Sequence, residues 1–172
     1  MKRLSQLGIV ALLCATFGFA VYTRAQSREN KPAQKEPLMT DHASGQFEVK
    51  MMPQKPDNPV AEAAKFSRMS GEKQFHGDLE GSSKLEMLAS SPDAKGSGVY
   101  VALERVTGTL KGRSGSFVLH HTGIMKRGVP SLMIEVVPDS GTEQLTGISG
   151  KMTINIAKDG KHSYDFEYSL PQ

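Results

Sequence analysis

The stretch Val99–Met125, VYVALERVTGTLKGRSGSFVLHHTGIM, decides how the chain reads. Its first run is rich in Val, Tyr and Leu, and its second opens at Ser116-Phe117 and continues to Met125. Gly108, Gly112 and Gly115 punctuate the space between them. Glycine has no Cβ and takes positive φ freely, so two β-rich runs around such glycines predict an antiparallel hairpin. Successive strand residues point to opposite faces. Phe117, Leu119, His121 and Met125 therefore share one face, and Val118, His120, Thr122 and Ile124 the other. Tyr100, Ala102 and Glu104 likewise lie opposite Val99, Val101 and Leu103.

The same period of two extends outward from this hairpin. In Gly45–Met52, Phe47, Val49 and Met51 alternate with Glu48 and Lys50. Val60–Phe66 suits one or two helical turns flanking a sheet. Arg68–Leu79 reads as a strand with Phe75, Gly77 and Leu79 on one face and Gln74, His76 and Asp78 on the other. Ser82–Ser90 reads as the next, and Pro130–Val137 follows the central hairpin. Lys151–Ala157 alternates Met152, Ile154 and Ile156 with Thr153 and Asn155. Asp159-Gly160 is a hairpin turn signal. His162–Leu170 places Tyr164, Phe166, Tyr168 and Leu170 on a single face. These are about eight or nine short strands with almost no helix, the pattern of a sandwich or barrel. Clean alternation argues for antiparallel strands buried on one face, and closure into a barrel removes exposed edges. The expectation is one small antiparallel β-barrel over residues 43–171.

Ahead of it, Lys2 and Arg3 precede the apolar run Leu7–Val21, and Thr23-Arg24-Ala25 precedes Gln26. That is the layout of a secretory signal peptide over residues 1–25, with an uncleaved inner-membrane anchor as the alternative. The run falls short of the roughly 20 residues of a comfortable span. Residues 26–42 are polar and proline-bearing and read as a flexible linker. The chain is expected to be exported by a Sec-type signal to the periplasm or beyond, and off the membrane once cleaved.

The formal charge of +3 is a property of that leader. Three of the 21 basic side chains lie there, which leaves 18 against 18 acids. The remainder gives no nucleic-acid signal. Cys14 is the single cysteine and also lies in the leader. Without it the chain forms neither a disulfide nor a thiolate metal site, so the core alone must hold the fold.

KQFHGDLEG (Lys73–Gly81), YVALERVTGTLKGRSGSFVLHHTG (Tyr100–Gly123), VVPDSGTEQLTGISGKM (Val136–Met152) and DGKHSYDFEYSLP (Asp159–Pro171) closely resemble the uncharacterised bacterial family called domain of unknown function 3224. The resemblance covers Ala43–Pro171. It implies a small β-barrel similar to allene oxide cyclase, and brings neither an activity nor catalytic residues.

Among residues that carry chemistry, His120 and His121 point to opposite faces and cannot ligate one ion from the same side. No metal site or other cofactor is expected. Glu104 is the sharper candidate. An interior carboxylate would have a raised pKa and exchange protons. On the other reading Glu104 faces solvent while Val99, Val101 and Leu103 fill the core, and alternation alone does not decide. Gln74, His76, Asp78 and Glu80 look like a solvated outer face. The glycine series lacks the Lys-Ser/Thr ending of a phosphate loop, and Ser114 and Ser116 sit in no nucleophile elbow. The methionines suit gap-filling better than copper.

If the hairpin faces inward, Tyr100, Glu104, Phe117, Leu119 and His121 form an apolar wall with three polar groups, the make-up of a small-molecule pocket. The expected function is binding of a small apolar molecule inside the barrel. Alternatives are an isomerase or cyclase with a buried acid–base residue, and a structural or homo-oligomerisation module without ligand.

Overall fold

The computed structural model describes residues 40–92 and 95–171. The expected signal peptide (1–25), and the linker up to residue 39, lie outside the described residues. Eight strands, all antiparallel to their neighbours, follow one another around a closed barrel in sequence order. They are β1 (Thr40–Gln54), β2 (Ser67–Gly77), β3 (Leu79–Ser90), β4 (Gly98–Leu110), β5 (Arg113–Lys126), β6 (Val129–Val136), β7 (Ser149–Ile156) and β8 (His162–Ser169). β1 begins at Thr40, ahead of the expected domain start at Ala43, and pairs with β8 to close the ring. β6 and β7 meet over the single rung Glu135–Lys151, the thinnest joint of the barrel.

Helix α1 (Pro59–Ala64) is the short turn expected between the first strands. Asn58 caps it by accepting a hydrogen bond from the Ala61 N–H, and Pro59 suits its first turn. A 3-10 turn at Glu143–Leu145 follows β6.

Two boundaries differ from the sequence reading. Arg68–Leu79 is not one strand: the chain reverses at Gly77-Asp78, where Gly77 has φ 112°. Asp78 fastens the reversal to β1 by donating its N–H to the Ser44 carbonyl and accepting the Ser44 N–H. Alternation ran straight through this turn, because Gly77 and Leu79 keep the parity of Phe75. In the central hairpin only Lys111 and Gly112 form the turn, with φ 44° and 84°. Positive φ at both positions is the type I′ geometry that matches strand twist. Gly108 and Gly115 lie within the strands, paired with each other. Their smallness serves packing: a Cβ on Gly108 would collide with the Glu80 carbonyl and the Gly81 Cα.

The barrel has a solid end and a mouth. At the solid end Phe75, Phe117, Phe166, Leu79 and Leu110 are fully buried, and Leu145 plugs the base. Phe117 stacks on Phe166 at 5.5 Å, and Phe75 meets Tyr164 edge-on at 5.6 Å. Each fully buried ring contributes about 1.5–3 kcal/mol. The Tyr164 hydroxyl accepts the Leu79 N–H, so its polar tip is satisfied at the hairpin end. At the mouth the inward side chains Met51, Met69, Met87 and Tyr100 are only part-buried.

The two glycine roles make separable predictions. Gly108→Ala forces backbone apart and should cost about 2 kcal/mol or more. Gly112→Ala meets nothing within 4 Å and costs only its positive φ, about 1 kcal/mol. Urea unfolding of both variants should give that order; the reverse order would refute the close-approach account.

Candidate functional site

Closure settles which faces point inward. On β4, Ala102, Glu104 and Val106 are buried, and Val99, Val101 and Leu103 are exposed. The reading with Glu104 in solvent and those three residues in the core is therefore overturned. On β5, Phe117, Leu119 and His121 are buried. Of the polar row on β2 and β3, Gln74, His76, Asp78 and Glu80 are exposed, as read from the sequence.

Register explains how the interior polar groups meet. Lys73 on β2 pairs with Ser83 on β3. One inward row nearer the mouth, Leu85 pairs with Glu104 on β4. One row further, Ala102 pairs with His121 on β5. Lys73, Ser83, Glu104 and His121 thus form a diagonal across four consecutive strands, with His121 nearest the mouth. Diagonal neighbours across strands lie within reach of long side chains.

Glu104 is completely buried and is the hub. Lys73 Nζ donates to its Oε2 at 2.7 Å, and Ser83 Oγ donates to its Oε1 at 2.5 Å. His121 Nε2 lies 2.9 Å from Oε2. Two lone pairs at that separation would repel, so this nitrogen carries the proton. Its N–H points off the line to the oxygen, and Nε2 has no aligned partner among the described residues. The contact is electrostatic attraction rather than a well-formed hydrogen bond. Lys73 Nζ also sits 4.9 Å over the Phe47 ring, a further attraction for its charge.

Burial by itself would raise the Glu104 pKa, but His121, Lys73 and Ser83 together outweigh burial and hold it at about 2. This corrects the expectation of a raised pKa. An acid facing a lone apolar wall would be protonated; this one faces three donors. The Tyr100 phenol is pushed up, first by burial and then by the Glu104 charge, so it stays a neutral donor.

The candidates Tyr100, Glu104, Phe117, Leu119 and His121 are all on inward faces, at different depths. Tyr100 is part-buried at the mouth, its ring lying across Gly123, where a Cβ would collide with it. Glu104 and His121 form the polar layer. Leu119 pairs with Glu104 across β4 and β5, and Phe117 lies one inward row further from the mouth; both are fully buried. Lys73 and Ser83 were missed. The available signal was parity: Lys73 shares its face with Phe75, and Ser83 with Leu85.

A match to the family described as protein of unknown function (DUF3224) covers residues 43–168. The chain belongs to the DUF3224 family. A crystal structure of a DUF3224 protein of unknown function from Shewanella oneidensis MR-1 is similar, with 40% identity and a TM-score of 0.70. It matches 78% of this chain and 100% of the Shewanella chain. No curated protein matches the chain. The family membership fixes the fold and brings no activity with it.

The depressed pKa carries a signed prediction. A carboxylate held below its ordinary 4.5 stabilises the fold fully above that pH, and the stabilisation is lost as pH falls from about 4.5 to about 2. Glu104→Gln leaves Lys73 buried without a counter-charge and should cost about 3–5 kcal/mol at neutral pH. Its loss of stability between pH 4.5 and 2 should be shallower than that of the parent. Denaturant unfolding across that range checks both; equal slopes would contradict the ionised carboxylate.

Proposed function

We propose that this barrel carries or senses a small, mainly apolar molecule, held at the mouth with its polar end toward Tyr100 and His121. The observation behind this reading is the buried Lys73–Glu104–His121 diagonal directly beneath a mouth lined by Met51, Met69 and Met87. Burying ionisable groups costs several kcal/mol per ion, and apolar side chains of similar volume would hold a purely structural barrel at least as well. His121 lies on the mouth side of the polar layer, its Nε2 2.9 Å from the Glu104 carboxylate. Met69 pairs directly with Met87, and methionine repacks readily around an irregular ligand. Leu119 packs beside Glu104 in the same row, and Phe117 closes the core one row deeper.

A binding role fits the electrostatics better than the isomerase or cyclase reading. A carboxylate held at about 2 is a weak base at neutral pH and takes a proton from a substrate poorly. The leader reading also belongs here: Lys2, Arg3 and Leu7–Val21 would direct Sec-type export, with the mature chain starting at Gln26 in the periplasm or beyond.

Anilinonaphthalene sulfonate, an aromatic body with one anionic group, is a suitable probe. Its fluorescence should rise on binding, and Met87→Trp, which fills the mouth, should weaken binding about tenfold or more. Thr153→Lys, on the outer face of β7, should leave that affinity unchanged. No binding, or binding unaffected by Met87→Trp, would refute the mouth as the site. For export, the periplasmic protein should begin at Gln26 on N-terminal sequencing; full-length protein in the inner membrane would support the anchor instead.

A further inference from the structure

Every junction of the barrel but one is stitched by at least eight residue pairs. The exception is β6 against β7, whose described residues pair only at Glu135–Lys151. Continued toward the mouth, that register would set Leu132 opposite Ile154 and Pro130 opposite Ile156, yet none of these pairs across the seam. The side chains flanking the seam belong to the interior. Leu132 pairs with Gly123, and Gly123 with Tyr100, in the inward row next to Ala102, His121 and Ile134. Ile154 pairs with the buried Tyr164, and Ile156 with His162, whose ring lies 5.0 Å from that of Phe47. Leu132 is nevertheless 45% exposed, Ile156 67% and Met125 40%. Among the exposed large apolar side chains of the strands, these three are the inward ones, and all lie on β5, β6 and β7. Across the mouth from them, Met51, Met69 and Met87 are part-buried.

We propose that the ligand's apolar tail leaves the mouth sideways through this seam, along Leu132, Ile154 and Ile156, while its polar end stays at Tyr100 and His121. This rests on the mouth reading above and adds a ligand class to it: a linear aliphatic chain with a polar head, in place of a compact ring system. The Tyr100 ring lies across Gly123, so in its row Leu132 is the next side chain on the way to the seam. The uncovered apolar surface is a strip along two strand edges, continuous with the polar groups at one end. An extended chain can follow such a strip, whereas a fused ring body matches it poorly. Pro130 has no N–H to offer along the unpaired part of β6, a feature that blunts strand edges, and this disfavours an added peptide strand as the occupant.

Alkane-1-sulfonates carry the head group of anilinonaphthalene sulfonate on tails of graded length, and they can be titrated, below their micelle concentrations, to displace that probe from the protein. From hexane- to dodecane-1-sulfonate, affinity should rise about two- to fourfold for each added CH2. Decane-1-sulfonate should bind at least about tenfold more tightly than camphor-10-sulfonate, a compact body with as many carbons. Leu132→Asp should flatten the rise with chain length, and so should Ile156→Asp; both side chains are exposed, so the melting curve should be unchanged. Met133→Gln, one residue along β6 and facing outward, should leave the rise intact. Affinity independent of chain length, or camphor-10-sulfonate binding as tightly as decane-1-sulfonate, overturns the seam while the mouth reading stands. The same holds for a rise that survives both aspartate variants, or one that Met133→Gln removes as well. If anilinonaphthalene sulfonate itself does not bind, the mouth reading falls and the seam with it.

Discussion

An ionised carboxylate at the centre of an apolar barrel is the constraint on which the rest of the interior depends. Glu104 is fully buried, and a lone charge there would be prohibitively costly. It persists because Lys73, Ser83 and His121 reach it from three other strands. Those three can reach only if the register of β2, β3, β4 and β5 is fixed to the residue. A slip of one residue would turn every inward side chain outward. The polar diagonal is thus also a register lock, holding four strands in one alignment from inside.

Below that layer the barrel behaves as an ordinary core. Stacked rings and the plug at Leu145 exclude water and give Glu104 its low-dielectric floor. Above it the packing loosens into flexible methionines and a half-covered tyrosine. The interior is therefore closely packed where the charge is held and less covered at the mouth. The outer wall repeats the division: charged pairs such as Lys84–Glu72 cover β2 and β3, whereas the centre of β4 presents valine and leucine.

Much of the fold was legible because period two survives in nearly every strand. Phe47-Val49-Met51 and Tyr164-Phe166-Tyr168 each name a buried face unaided. β4 resisted that reading because both of its faces are apolar, one for the core and one for the outer wall. The reversal at Gly77-Asp78 was hidden since it preserves parity. The site was legible only in part. Glu104 and His121 stood out as polar residues on apolar faces; Lys73 and Ser83 obeyed the same rule but sit beside ordinary surface residues, and only strand pairing brings them to Glu104. The direction of the Glu104 pKa depends on those partners, so it could not be read before the pairing was known.

The state of Glu104 is the most direct test. Carbon-13 NMR of its side-chain carboxyl, assigned by comparison with Glu104→Gln, reports protonation at one atom. The ionised shift should persist at neutral pH and down through pH 4.5, with titration only near about 2. A carboxyl that is protonated at neutral pH, or that titrates at or above 4.5, would contradict the charged diagonal and the binding role built on it.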